Sequence, residues 1–109
     1  MNLGIPDCIV GLDSRFHLIE LKVAQPNGKV SISPHQVSFH TSHRDYPTWI
    51  FVQQDKGRKA KLLVYEGDQA VLLAKNGTAL YGVLEQLYPW DWKEVEEHLR
   101  EYRPVLDNV

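Results

Sequence analysis

The sequence predicts a mixed α/β domain in which helices pack on a central sheet. One observation is an apolar segment on each side of an Asp-Ser turn signal, which is typical of a β-hairpin. A second is the sequence SPHQ, which favours a helix start between two strand-like segments. The third is the order of the patterns, which is strand, strand, helix, strand, strand, strand, helix, helix. With 109 residues, the chain suits one compact domain spanning residues 1–109.

Two strands are predicted near the N-terminus. Apolar residues surround the turn residues Asp13 and Ser14, which favours strands over 8–12 and 16–23. The sequence QPNGK that follows contains proline and Asn-Gly, and it predicts a turn before a short strand end at 30–32.

A helix is predicted next. Ser33 is a favourable N-cap residue, and Pro34 suits the first helical position. Gln36 lies three residues after the cap, which is the capping-box spacing. We expect this helix to end near Arg44.

The second half of the chain is predicted to contain three strands and two helices. The strands are expected over 48–53, 61–67 and 69–77. A helix over 78–88 is expected because Leu80, Val83, Leu84 and Leu87 have helical spacing, and Pro89 would end it. In the last helix, Asp91 is the predicted N-cap with Glu94 completing a capping box, and the predicted apolar stripe consists of Trp92, Val95, Leu99 and Tyr102.

Composition and charge narrow the class of protein. The net charge is −2 at pH 7, which counts against a typical basic DNA-binding domain. A basic loop on a near-neutral body can still hold a phosphate backbone. The sequence DKGRKAK is such a loop, although a solvated turn is the alternative, and its basic residues are Lys56, Arg58, Lys59 and Lys61.

Cysteine usage and hydropathy bear on the compartment. Cys8 is the single cysteine, which excludes an internal disulfide and a cysteine-based zinc cluster. No apolar stretch reaches the roughly 18 residues of a membrane span. The N-terminus lacks the basic start and apolar core of a signal peptide. We therefore expect an intracellular, cytoplasmic protein without a membrane partner.

Charged residues in the hairpin indicate a site. If Asp13 and Ser14 are the two turn residues, the register pairs Asp7 with Glu20 across the hairpin. Directly opposed residues point to the same face with Cβ atoms roughly 5 Å apart. Lys22 is two residues past Glu20 and therefore shares that face. The turn is expected to bring two carboxylates and one ammonium group to the open end of the hairpin.

This trio of side chains has the chemistry of a metal site. Two neighbouring carboxylates in a partly buried site repel each other when both are ionised. A divalent cation bound between them would remove this electrostatic cost. Hard oxygen ligands with room for waters suit Mg²⁺ or Mn²⁺. Lys22 would hold or deprotonate an attacking water, or stabilise charge on a phosphate. The structural alternative is a Pro-Asp strand start at Asp7 and an unrelated edge-strand charge pair at Glu20 and Lys22.

The motif residues resemble a nuclease family. The sequence PD, twelve residues and then ELK is similar to the PD-(D/E)xK nuclease motif. The longer series GIPD, IELK and NGKVSISPHQ resembles the virus-type replication-repair branch of that superfamily, the VRR-Nuc domain. The similarity covers about residues 4–52, and the placement of Ser33, Pro34 and Gln36 makes it more specific than the short motif alone.

The resemblance implies a restriction-endonuclease-like core and a metal-dependent endonuclease that hydrolyses DNA phosphodiester bonds. It implies Mg²⁺ or Mn²⁺ bound by Asp7, Glu20 and the backbone carbonyl of Leu21, with Lys22 orienting or activating the water. Gln36 would reach towards the site from the helix, and its alternative role is the capping box. Small viral members of the branch cut branched DNA such as Holliday junctions as homodimers, so the resemblance implies a dimer and a role in phage or bacterial replication, repair or recombination.

The chain departs from the family pattern at its start. Relatives have a helix before the Pro-Asp strand, often with another acid for the metal, whereas only six residues precede Asp7 here and none is acidic. Either this version works without that acid, or a partner subunit supplies packing or a ligand. The rival hypothesis is a non-catalytic DNA-binding or assembly module on a degenerate nuclease fold.

Other side chains are weaker candidates. His40 and His43 lie three apart on the first predicted helix, where a solvated or DNA-facing surface is favoured over a metal site. His17 is predicted to lie on the sheet face opposite Glu20 in a structural role. Near the last helix, Tyr88, Trp90 and Trp92 have the chemistry to stack on bases, with core or dimer packing as the favoured alternative.

Overall fold

The computed structural model describes residues 6–103 and contains a five-stranded sheet with helices on both faces. The predicted α/β class is therefore confirmed. The strands are β1 (Cys8–Leu12), β2 (Arg15–Val23), β3 (Thr48–Gln54), β4 (Lys61–Glu66) and β5 (Leu84–Leu87). The α-helices are α1 (Pro34–Ser42), α2 (Ala70–Asn76) and α3 (Trp92–Arg100), and short 3₁₀ turns occur at Gly57–Lys59, Gly67–Gln69 and Gly77–Ala79.

The sheet is mixed and its strands lie in chain order, β1-β2-β3-β4-β5. β2 and β3 are parallel, and the other neighbouring pairs are antiparallel. A parallel pair needs a crossover connection, and α1 lies in the one that joins β2 to β3. Because β2 and β3 are parallel, their C-terminal ends lie at the same end of the sheet, which we call the site end.

Apolar clusters cover both faces of the sheet. On the face covered by α3, the cluster consists of Ile19, Trp49, Phe51, Leu62, Val64, Val95, Leu99 and Tyr102. On the face that carries α1 and α2, it consists of Val30, Ile50, Val52, Leu63, Tyr65, Ala70 and Leu73. Strands buried on both faces lose the polar alternation of a half-buried strand, which explains the almost continuous apolar runs in β3 and β4.

Two predicted elements were wrong in type. Residues 69–77 were predicted to form a strand, but they form the end of a 3₁₀ turn and helix α2. Ala70 and Leu73, three residues apart, are buried against the sheet, whereas Val71 and Leu72 are exposed. A short apolar run does not distinguish a strand from a buried helix by periodicity, and packing against the sheet decided this one.

The helix predicted over 78–88 was also wrong. The segment contains a 3₁₀ turn and then β5, which pairs antiparallel with β4. Val83 and Tyr88 continue this attachment through backbone hydrogen bonds to the carbonyls of Val64 and Ala60, at 2.8 and 3.0 Å. The helical spacing of the leucines was outweighed by pairing with the edge of the sheet, since β propensity depends strongly on tertiary context.

The remaining boundaries differ in smaller ways. The segment 30–32 is not a strand, and α1 ends at Ser42 rather than near Arg44. Asp91 caps α3 by accepting from two backbone N–H groups, but the Glu94 carboxylate accepts a hydrogen bond from Gln86 instead of completing a capping box. Of the predicted apolar stripe of α3, Val95 and Leu99 are buried on the helix, Tyr102 is buried but follows its end, and Trp92 is 56% exposed. No helix between residues 6 and 103 is long and apolar enough to cross a membrane.

Candidate active site

The hairpin has the predicted register. Asp13 and Ser14 have φ angles of 51° and 66°, and positive φ at both turn positions is characteristic of a two-residue type I′ hairpin turn. Leu12 pairs with Arg15, and pairing continues to Cys8 opposite Ile19. One further step along this register brings Asp7 opposite Glu20, so the two carboxyl groups meet at the open end of the hairpin.

Asp7 is held by the backbone of β2. Its Oδ2 accepts a hydrogen bond of 2.8 Å from the Leu21 N–H. The backbone pairing between β1 and β2 begins at Cys8 opposite Ile19, so it does not extend as far as Leu21. One carboxylate oxygen and one backbone carbonyl at this edge of β2 are therefore available to a further ligand.

Glu20 is almost completely buried, with 2% of its surface exposed. Its Oε2 accepts a 3.1 Å hydrogen bond from Nε2 of Gln36. The Glu20 carboxyl group lies within hydrogen-bonding reach of the Asp7 carboxyl group. Oε1 of Glu20 is buried and has no hydrogen-bond donor among residues 6–103. A buried carboxylate oxygen without a donor is costly, and a cation or a proton would satisfy it.

Gln36 joins the helix cap to the site. Its backbone N–H donates to Oγ of Ser33 at 3.1 Å, and its Oε1 accepts from the Ser33 N–H at 3.0 Å, which completes the predicted capping box. The same Oε1 also accepts a 2.7 Å hydrogen bond from Nζ of Lys22. One side chain therefore closes the start of α1 and also contacts both Glu20 and Lys22.

The surroundings of the two carboxyl groups shift their pKa values in opposite directions. The Leu21 N–H, the hydrogen bond with Glu20 and the charge of Lys22 together hold the pKa of Asp7 below its ordinary value. Burial, followed by the hydrogen bond with Asp7 and its charge, raises the pKa of Glu20 from 4.5 to about 7. At neutral pH the pair therefore retains a fraction of one proton, which a bound cation would displace.

The donor set fits a hard divalent cation. Two carboxyl groups, one of them with a buried oxygen that has no donor, and the Leu21 carbonyl are all oxygen ligands of the kind Mg²⁺ and Mn²⁺ prefer. Within the described part of the chain, no group of three or more His, Cys, Asp or Glu side chains could hold a metal. Waters would therefore complete the coordination, as is usual for Mg²⁺.

One cleft lies beside Lys22 and Gln36, and a second adjoins it. One of about 600 Å³ is lined by Lys22, Gln36, His35 and Lys29, among others. A second of about 670 Å³ shares Lys29 with the first and extends to Lys61. The cleft beside Lys22 thus contains two lysine side chains and no carboxylate among its lining residues, a charge balance that favours anionic ligands.

The basic loop between β3 and β4 lies at the site end of the sheet. Lys56, Arg58 and Lys59 are exposed on and beside its 3₁₀ turn. Lys61, the first residue of β4, lies 3.4 Å from Oε1 of Glu85, so part of its charge is neutralised. Because β3 is adjacent and parallel to β2, this loop and Lys22 share one end of the sheet.

His17 and His40 are buried, and His43 is half-buried. His40 is fully buried, contrary to the prediction, and burial lowers its pKa to about 4. His43 stacks on Phe39 with ring centroids 4.2 Å apart. His17 is buried on the α3 face, as predicted, where its Nδ1 accepts a 3.0 Å hydrogen bond from Nε1 of Trp49. The sequence offered no signal for the burial of His40, because the helix that carries it has almost no apolar periodicity.

No family model, curated protein or solved structure matches this chain. The case for a particular activity therefore depends on the motif residues and on the geometry of the site itself.

Proposed function

We propose that this chain is a metal-dependent endonuclease of the PD-(D/E)xK type, of the VRR-Nuc branch, that hydrolyses DNA phosphodiester bonds. The observation that carries the proposal is the buried Glu20 oxygen, which has no donor among residues 6–103 and lies beside the Asp7 carboxyl group, since neighbouring anionic oxygens are stabilised by a cation. Branched DNA is the proposed substrate, and the proposed setting is phage or bacterial replication, repair or recombination.

The roles of the side chains follow from their contacts. Asp7, Glu20 and the Leu21 carbonyl would hold Mg²⁺ or Mn²⁺, which when bound would polarise the phosphate and lower the pKa of a water. Lys22 has three N–H donors, and the one given to Gln36 leaves others for a water or a phosphate oxygen. Gln36 keeps Lys22 and Glu20 in fixed positions, and its own place is fixed by the helix cap.

The basic loop is the proposed contact with the DNA backbone. Lys56, Arg58, Lys59 and Lys61 lie at the same end of the sheet as the carboxyl pair. Such contacts position a duplex without reading its sequence, and their strength falls steeply with salt.

A homodimer is part of the proposal. β1 is an edge strand of the described sheet, and Ile9 of β1 and Phe16 of β2, which lie on the same face of the hairpin as Glu20, are 67% and 71% exposed. Large exposed apolar side chains at a sheet edge are typical of a protein contact. We expect sedimentation equilibrium to show a dimer that Phe16→Ser weakens and the control Val71→Ser, at an exposed position of α2, does not; a monomeric wild type would contradict this.

The activity is tested with labelled linear, flapped and four-way DNA in Mg²⁺, Mn²⁺ or EDTA. We expect metal-dependent cutting that Glu20→Gln and Lys22→Ala abolish and that Glu97→Gln, an exposed control on α3, leaves unchanged. Mn²⁺ should also raise the melting temperature of the wild type and not that of Glu20→Gln, which tests the metal site without relying on turnover.

The second candidate is a non-catalytic DNA-binding module. It is favoured by one observation, which is that residues 6–103 supply only two carboxylates to the site. DNA binding without cutting in either metal, together with no Mn²⁺-dependent rise in melting temperature, would favour this alternative over the nuclease.

A further inference from the structure

A third cleft lies on the other side of the basic loop, between the end of β5 and the start of α3. It has a volume of about 410 Å³, and we call it the aromatic cleft. Its lining combines three aromatic side chains, Tyr88, Trp90 and Trp92, with Gly57 and Ala60 of the basic loop. The proposed metal site has no residue in this cleft.

The Trp90 ring and the backbone of Tyr88 are anchored to the basic loop, while the rings of Tyr88 and Trp92 are open to solvent. Trp90 donates from Nε1 to the Ala60 carbonyl at 3.2 Å, and the Tyr88 N–H donates to the same carbonyl at 3.0 Å. Trp92 contacts Trp90 edge to face, with ring centroids 5.7 Å apart. Tyr88 and Trp92 are nevertheless 54% and 56% exposed. Adjacent exposed aromatic rings that share one cleft form a contiguous apolar patch, and such patches mark interaction sites.

The charged residues around the aromatic cleft indicate what kind of ligand it would bind. Lys56, Arg58 and Lys59 lie on the loop that forms one wall, and all three are exposed. The nearby acid Asp91 is engaged as the cap of α3, where its carboxylate accepts from two backbone N–H groups. Exposed aromatic rings beside cations are the combination by which proteins bind single-stranded nucleic acid, since the bases stack and the phosphates pair with the cations.

We infer that the aromatic cleft binds an unpaired DNA base, stacked against Trp92 and Tyr88, while the cations of the adjoining loop hold the neighbouring phosphates. Duplex DNA does not satisfy the cleft, because its bases are stacked on one another and present no free face. The inference deepens the proposed function, since it would give the nuclease a preference for DNA with a single-stranded arm. The binding itself does not depend on the metal site.

The position of the cleft suits this role. Tyr88 follows the last residue of β5, and Leu87 pairs with Lys61 at the site end of the sheet. Three strand spacings, or about 14 Å, separate β5 from β2, which carries Glu20 and Lys22. The cleft opens on the α3 face, where Trp90 packs, whereas Glu20 lies on the opposite face beside Ile50, so a strand would pass around the basic loop at the site end of the sheet to reach the carboxyl pair.

Binding is measured in EDTA by fluorescence anisotropy, with a labelled thymidine 12-mer, an abasic 12-mer of equal charge and a 12-base-pair duplex. We expect the thymidine strand to bind the wild type most tightly and to quench tryptophan fluorescence. Trp92→Ala should weaken this binding roughly 5- to 100-fold without changing its salt dependence. Lys59→Ala should instead lower the slope of log K against log salt by about 0.7.

Controls separate stacking from loss of fold. Tyr81→Ala removes a ring that is 87% exposed but lies outside the aromatic cleft, and it should bind like the wild type. Trp92→Phe keeps an aromatic face and should retain most of the affinity, so it reports on stacking even if the alanine variant unfolds. Tyr88→Leu gives a second measurement of the same cleft.

Several results would overturn the inference. Equal affinity of the wild type for the thymidine and abasic strands, or tighter binding of the duplex, would exclude base stacking in the cleft. So would binding of a proline-rich peptide, another ligand of aromatic grooves, with no binding of the thymidine strand. Failure of the nuclease proposal is distinguishable, because binding of the thymidine strand by the wild type is measured in EDTA and does not require that the protein cut DNA.

Discussion

Glu20 shows how a single residue combines a structural cost with a chemical use. It is a carboxyl group with 2% exposure, in a strand whose neighbours are mostly apolar. Burial and the adjacent Asp7 raise its pKa to about 7, so the folded protein resists its ionisation. A cation bound to Oε1 of Glu20 would offset both the burial of the carboxylate charge and its repulsion by Asp7.

The first prediction concerns the pH dependence of stability at Glu20. Folding raises the pKa from 4.5 to about 7, so the folded chain holds the proton more tightly than the unfolded chain. The resulting stability is full below about pH 4.5 and is lost as the pH rises through about 7. In EDTA at pH 8.5 we expect Glu20→Gln to be more stable than the wild type by about 1–3 kcal/mol in urea unfolding. The advantage should be small at pH 5, and equal advantages at both pH values would show that ionisation of Glu20 is not the cause.

The second prediction separates the two roles of Gln36. Gln36→Glu keeps an oxygen for the Ser33 N–H and for Lys22 but removes the Nε2 donor to Glu20. We expect a loss of about 1–3 kcal/mol that grows above pH 7, because Glu20 then ionises beside a second anion. Ser33→Ala removes the cap alone and should cost about 1 kcal/mol at every pH. Urea unfolding at pH 6 and pH 8.5 checks both, and a pH-independent loss in Gln36→Glu would leave only the capping role.

At the scale of elements, the hairpin turn determines which side chains meet. A two-residue turn at Asp13 and Ser14 places every later pair in register, and a slip of one residue would move Glu20 to the opposite face. Arg100 of α3 adds a second constraint, since its Nε donates to Oδ2 of Asp13 at 2.8 Å. The turn is therefore the element on which the site most depends.

The third prediction tests the backbone of this turn. Ser14 has a φ of 66°, a conformation that costs a residue with a Cβ about 1 kcal/mol or more. Ser14→Gly should therefore raise the free energy of unfolding by up to about 1 kcal/mol. The matched control is Ser38→Gly in the exposed middle of α1, which should lower it by about 0.5 kcal/mol. Thermal and urea unfolding of both variants give the comparison, and a loss of stability in Ser14→Gly would show that the turn is not strained.

At the scale of the whole molecule, charge is divided between the faces and ends of the sheet. The chain is slightly acidic, yet cations predominate along the clefts and the loop at the site end. Many acids lie instead on α3 and its flanks, on the other face, such as Glu96 and Glu97. A net charge of −2 is therefore compatible with a local surface that attracts phosphates.

The fourth prediction concerns His40, a fully buried residue of α1. Neither ring nitrogen has a hydrogen-bond partner among the described residues, and burial, then His43 and Lys22, lower its pKa from 6.5 to about 4. On acidification the unfolded chain takes up this proton first, so stability is full above about pH 6.5 and falls towards about pH 4. His40 should account for about 3 kcal/mol of that loss.

Two histidine variants measure this loss. His40→Gln should flatten the dependence of the free energy of unfolding between pH 6.5 and 4, whatever its stability at neutral pH. His35→Gln, at an exposed position on the same helix, should leave that dependence unchanged. Parallel pH profiles for His40→Gln and the wild type would show that His40 is not the titrating group.

The turns and helix caps of this protein could be predicted from its sequence. The hairpin register, the Ser33 cap with Gln36, and the start of α3 at Asp91 each depend on residues within a few positions of one another. A turn type or a cap is determined by such short-range sterics and hydrogen bonds. The meeting of Asp7 with Glu20 was predictable for the same reason, since it follows from the turn by counting.

Only the tertiary structure decided the elements whose partners are distant in the chain. The apolar run of α2 and the leucines of β5 fit either a helix or a strand, and packing on the sheet and pairing with β4 chose between them. The burial of His40 and the contact of Gln36 with Glu20 and Lys22 required α1 to lie on one particular face. The spacing of apolar side chains shows which face of an element can be buried. What that face packs against is decided by contacts between residues far apart in sequence.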